Sequence, residues 1–174
     1  MIRKLTEDFF KRDCLEVAPE LVGKVLVCRL SSGEEIKERI SETEAYRGEE
    51  DKACHASKGR TKRTEILYGE SGKIYIYLCY GMHWLMNITT GEINQPQCVL
   101  LRAGEIHQGP AKLTKYMHID KRFNNESICN NPDIWIEDDG FIPEVKTASR
   151  VGIDYAGDYW KNIKWRFISN GGSK

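Results

Sequence analysis

Apolar residues in this chain come in short runs, several of which alternate with polar positions. KVLVCRL (24–30) is followed by SSGEE and then by IKERISETEAY (36–46). Two stretches of period near two, joined by a segment in which Gly33 can take the turn, predict a hairpin. KIYIYLCYGMHWLMNITT (73–90) predicts a second with Gly81 near its tip, and QCVLLRA (97–103) and IKWRFIS (163–169) predict further strands. Helical signals are fewer: a short helix around Thr6 to Lys11, one around Pro19 to Val22, and a clearer one over Lys112 to Met117 starting from Pro110. The terminal NGGSK is expected to fray. With no repeat and no low-complexity linker, residues 1–174 read as a single mixed α+β domain: a curved, mainly antiparallel sheet core, short helices and a protruding hairpin.

One stretch of the pattern is anomalous. In an extended 36–46 segment, Ile36, Glu38, Ile40, Glu42, Glu44 and Tyr46 share a face, so a side that begins apolar ends in carboxylates. A carboxylate aimed inward either pairs with a cation or is desolvated into a proton acceptor near neutral pH. Glu42 and Glu44 would repel if both were charged and buried, which makes Arg102 of VLLRA an expected neighbour. A structural salt bridge and a general base both remain open on these residues alone. Tyr75 and Tyr77 share a face of the second hairpin, and Tyr75 reads as packing. Tyr80, beside Gly81, lacks sheet neighbours at a tight tip; it either caps a local cluster or meets a partner, where a flat ring can wedge between stacked bases. Asn87 is an amide in an apolar run, and in a pocket such a group can read polar base edges.

Charge narrows the partners. Lys plus Arg equals Asp plus Glu at 26 each, so no whole-body basic field exists and an anionic partner must meet a local patch. KGRTKR (58–63) is such a run, although solvated lysines in a loop are its commoner meaning. The six cysteines form no CxxC pair, and Cys28, Cys79 and Cys98 sit in apolar strand-like runs, as expected of a reduced, intracellular chain. Neither the spacing of Cys54, His55, His83, His107 and His118 nor any other pattern suggests a metal site. No apolar stretch approaches the roughly 20 residues of a membrane span, so no membrane partner is expected.

ETEAY with a downstream His, then YIYLCYGM, MNIT, CVLLRA, GPAKL and SRVG, in this order and over about Leu5 to Ser169, resemble the alkyladenine (3-methyladenine) DNA glycosylase family. The resemblance implies an enzyme that flips a damaged purine out of duplex DNA and hydrolyses its N-glycosidic bond, leaving an abasic site, without a cofactor. Carried over position by position, Glu44 is the water-activating base, helped by Arg102 and the backbone carbonyl of Val151. Tyr46, His55 and Tyr77 wall the base pocket, Asn87 screens purines, and Tyr80 with Met82 fills the gap left by the extruded nucleotide. Lys58, Arg60, Lys62 and Arg63, with Lys112, would hold the DNA backbone. No lysine in these motifs is placed to attack the sugar, so hydrolysis without strand cleavage is expected, by a monomer located with the DNA.

Three departures qualify the transfer. The segment AGEIHQGPAKL after Arg102 is shorter than in relatives, Lys62 stands where proline is frequent, and His83 and Trp84 follow the hairpin tip where other aromatics are usual. Two rival readings stay open: a non-catalytic module that flips and holds damaged bases, and a structural protein whose Glu44 is only a salt-bridged strand residue.

Overall fold

A computed structural model describes residues 1–170. Nine strands make one sheet: β1 (Arg3–Lys4), β2 (Val25–Arg29), β3 (Glu35–Arg47), β4 (Ile74–Cys79), β5 (His83–Thr89), β6 (Gln97–Gly104), β7 (Ile134–Asp138), β8 (Val145–Ala148) and β9 (Arg166–Ser169). Their order is β1-β7-β2-β3-β6-β5-β4, with β9 joining β3 to β8, and every pairing is antiparallel. Four short helices complete the α+β fold: α1 (Glu7–Phe10), α2 (Cys14–Leu21), α3 (Pro110–Tyr116) and α4 (Asp158–Asn162). Among the described residues no helix is long and apolar enough to cross a membrane.

Both hairpins form where alternation predicts them. Gly33 turns the first at φ +87°, and Tyr80 and Gly81 turn the second at φ +51° and +69°. Helix α3 starts at Pro110, whose missing N–H costs nothing at a first helical position. Helix α2 departs from expectation: it begins at Cys14, not near Pro19, because the Asp13 carboxylate caps it by accepting from Leu15 N–H at 2.9 Å. Pro19 falls inside the helix. Strands β1, β7 and β8 and helix α4 are additional to the expected elements, and IKWRFIS is strand only from Arg166. Of the terminal NGGSK, residues 171–174 lie outside the described residues.

The shared face expected of Ile36 through Tyr46 does not survive. Ile40 opposes Gly104, Glu42 opposes Ala103 and Thr43 opposes Leu101, so the β3–β6 register slips at Ser41 and again at Arg102. An extra residue in a strand reverses the side on which later side chains emerge. Ile40 therefore packs into the main core with Ala45, five residues on, while Glu44 and Tyr46 emerge on the opposite face. The inward carboxylate and the isoleucines serve different sides of the sheet.

That main core joins α1 and α2 to one face, with Phe10, Val17, Leu21, Ile40, Ile74, Met86, Ile88, Val99 and Leu101 among its buried members. Strand β6 is buried on both faces: Val99 and Leu101 enter this core, while Cys98, Leu100 and Arg102 point the other way. The site lies on that second face.

Candidate active site

Cross-strand register sets out the site. Tyr75 pairs with Asn87, Asn87 with Leu100, and Leu100 with Glu44, forming one row across β4, β5, β6 and β3. Alternation adds Tyr77, Leu85, Cys98, Arg102 and Tyr46 to the same face. These residues line a cavity of about 530 Å³, closed at its sides by His55 and by Val151 to Ile153.

Glu44 has no solvent-exposed surface, yet it borders this cavity. Its Oε2 accepts from the Tyr46 hydroxyl at 2.6 Å and its Oε1 from the Val151 backbone N–H at 3.0 Å. Arg102 Nε stands 3.4 Å from Oε1 and 2.9 Å from Glu42 Oε2, which separates the two carboxylates as repulsion requires. Burial pushes the Glu44 carboxyl above its ordinary range, and Tyr46, Arg102, Val151 and Arg150 pull it part of the way back. A carboxylate offers about four lone-pair positions, and two hydrogen-bond donors are in place with the Arg102 charge beside them, so acceptor capacity remains. Val151 thus meets Glu44 through its N–H, a contact the sequence did not suggest beside the expected carbonyl.

The cavity walls are aromatic. His55 opens a 3-10 turn (His55–Lys58), and its ring meets Tyr77 at 4.6 Å between centroids, at 60°. His55 Nδ1 lies 2.6 Å from the Tyr75 hydroxyl. Burial, then the nearby Arg63 and Lys58 charges, lower the His55 pKa to about 4, so the ring is neutral at pH 7. Tyr75, read from sequence as packing, therefore both lines the cavity and holds the His55 ring. Asn87 is buried, donates to the Tyr75 carbonyl at 3.2 Å, and has Cys98 Sγ 3.8 Å from its Oδ1.

At the hairpin tip Tyr80 is 90% exposed and Met82 69%. A bulky residue at positive φ is an outlier, and here it presents an aromatic ring to solvent above the cavity wall that Tyr80 itself helps form. The basic residues divide. Arg60 is held by Glu65 through bonds of 2.6 and 2.7 Å, and Arg63 stacks 5.4 Å over the Tyr77 ring at the cavity. Lys58, Lys62 and Lys112 are exposed and make no ion pair among the described residues. The short segment after β6 is tied down by Glu38, whose carboxylate accepts from Ile106 N–H at 2.7 Å and lies 2.9 Å from His107 Nδ1.

A buried pair behind the site escaped the sequence reading. Arg150 and Asp51 are both inaccessible and share bonds of 2.6 and 2.9 Å. Only SRVG hinted at Arg150, and Asp51 sits in an acidic run that looks solvated.

Three relatives cover nearly all of the chain. It is 39% identical to a protein of Methanocella arvoryzae (94% of this chain, 90% of the relative) and 40% identical to one of Desulfitobacterium hafniense (95% and 95%). It is 42% identical to one of an Anaeromyxobacter species (97% and 90%). All three are provisionally named 3-methyladenine DNA glycosylase. The model of the methylpurine-DNA glycosylase (MPG) family matches residues 8–173. With the match spanning the strands that build the cavity, the chain belongs to the methylpurine-DNA glycosylase family.

Proposed function

We propose that this protein is a monofunctional DNA glycosylase that takes alkylated or deaminated purines out of duplex DNA and hydrolyses the N-glycosidic bond with a water activated by Glu44. The observation that carries the reading is a carboxylate without solvent exposure, held by two hydrogen-bond donors and the Arg102 charge yet bordering a cavity with acceptor capacity to spare. A salt bridge serving only the fold would need no such cavity.

In this reading the target nucleotide rotates out, Tyr80 and Met82 enter the gap, and the base lies among Tyr46, His55 and Tyr77. Asn87 screens the purine edge, and Lys58, Lys62 and Lys112 meet phosphates. Arg63 serves the pocket wall, and Arg60 is occupied by Glu65. Water held by Glu44, Arg102 and the Val151 backbone attacks C1′ and gives its proton to Glu44. The C1′–N bond breaks with its electron pair going to the base nitrogen, leaving a free base and an abasic sugar. A general base contributes about 10² to 10⁴ in rate.

The cavity favours cationic bases. An N3- or N7-methylated purine leaves as a neutral molecule without an added proton, and tyrosine faces stabilise its charge by about 0.5 to 2 kcal/mol. Neutral lesions require an acid. With a pKa of about 4, His55 would be protonated in only about one molecule per thousand at pH 7.

The test is release of free base from duplexes carrying single lesions. Methylated purines should be released faster than hypoxanthine, and Glu44→Gln should slow release by about 10² to 10⁴ while lesion binding persists. Tight lesion binding without release by the unmodified protein would establish the non-catalytic module instead.

A further inference from the structure

The Asp51–Arg150 pair is costly. Both side chains are wholly buried, and desolvating two charges costs several kcal/mol per ion before their attraction offsets it. Arg150 Nε is the one buried side-chain nitrogen or oxygen among the described residues without a hydrogen-bond partner. Apolar residues of similar volume often fill such a place at no loss of stability, so stability alone does not account for the pair.

Its connections lead to Glu44. The Arg150 guanidinium lies between two rings, 4.8 Å from Tyr46 and 5.1 Å from Trp165. It donates to the Ala45 carbonyl at 2.9 Å, while Asp51 accepts from the backbone N–H groups of Arg47 and Ala53. Both hydrogen-bond donors to Glu44 are thereby anchored. Tyr46 is the ring under the guanidinium, and Val151 is the next residue in the chain. The cavity is lined by Val151, Gly152 and Ile153 but by neither Arg150 nor Asp51.

Resting on the glycosylase reading above, we propose that Asp51 and Arg150 are positioning residues that aim the Glu44 carboxylate through Tyr46 and Val151 without touching substrate. A misplacement near 1 Å can cost about 100-fold in rate, so the rigidity of a bidentate pair is an adequate cause.

The experiment is single-turnover release from a duplex with one 7-methylguanine, using Arg150→Gln, Arg150→Lys and the near-isosteric Asp51→Asn, each alone and combined with Glu44→Gln. Thermal unfolding checks that each variant folds. Arg150→Gln should slow release about 10- to 100-fold with the lesion-DNA dissociation constant nearly unchanged, and Arg150→Lys should recover part of the loss. Combined with Glu44→Gln, none should slow residual release further, because groups acting as one unit are non-additive.

A second readout is the acid limb of the pH–rate profile. Glu44 is faced by Tyr46 and Glu42 on β3, Arg102 on β6, Tyr77 on β4 and Arg150, with Arg166 on β9 reaching Glu42. Loss of the Arg150 charge should move that limb to higher pH. Losses that add fully to Glu44→Gln, or a binding defect as large as the rate defect, would overturn the positioning role. If Arg150→Gln fails to fold, the Asp51→Asn pairing with Glu44→Gln decides by the same criterion. An unmodified protein that releases no base would instead sink the glycosylase reading itself.

Discussion

The Tyr46 hydroxyl donates to Glu44 Oε2 across 2.6 Å, between side chains two residues apart on one strand. The contact opposes burial: desolvation raises the Glu44 pKa, and this hydrogen bond is the foremost influence lowering it. Tyr46→Phe keeps the ring under Arg150 and removes the donor. Its acid limb should lie at higher pH than that of the unmodified enzyme, with release at neutral pH slowed about 10- to 150-fold, in line with a charge-assisted bond of roughly 1.5 to 3 kcal/mol. Release rates across pH 5 to 9 test this, and an unmoved limb would refute it.

Glu44 also weighs on stability. Its folded pKa lies above the unfolded value, so between the two the folded chain holds a proton that the unfolded chain has lost. Stability from this group therefore falls as pH rises through the folded pKa, and the cost is complete above it. Glu44→Gln should melt higher than the unmodified protein at neutral pH, and the gain should shrink as pH drops toward the ordinary carboxylate range. Equal melting temperatures throughout would contradict a raised pKa.

His55 acts with the opposite slope. Its folded pKa of about 4 lies below the ordinary histidine value of 6.5, so the unfolded chain binds a proton that the folded chain refuses in that window. The stability this confers is complete above pH 6.5 and lost as pH falls toward 4, on the order of 2 to 3 kcal/mol after allowing for partial exposure. Urea unfolding at pH 7 and pH 4.5 should show a smaller difference for His55→Gln than for the unmodified protein.

Arg60 and Lys62 lie two positions apart in one basic run and should differ in function. Arg60 is neutralised by Glu65 and lies 5.2 Å over the Tyr68 ring, whereas Lys62 is exposed and unpaired among the described residues. Lys62→Ala should reduce the slope of log affinity against log salt by about 0.9, and Arg60→Ala should leave it nearly unchanged. DNA titrations between 50 and 200 mM salt, a range in which phosphate contacts weaken strongly, would separate them.

Period-two alternation is local backbone geometry, so the sequence by itself determined that Tyr75 with Tyr77, and Leu100 with Arg102, leave their strands on one side. The two hairpins and the Pro110 helix start were legible for the same reason, since turn residues and proline act on their immediate neighbours. The main error arose where the rule was extended through Ser41, because a bulge is set by the partner strand. Only the tertiary structure decided that Ile40 and Glu44 serve opposite faces, that Glu65 occupies Arg60, and that Asp51 meets Arg150 from 99 positions away. The register at Ile40 and the Asp51–Arg150 pair depend on partners that the whole fold brings from outside any short window, and burial gives that pair its strength, whereas Arg60 and Glu65 lie five positions apart and only the conformation of the loop between them brings their exposed groups together.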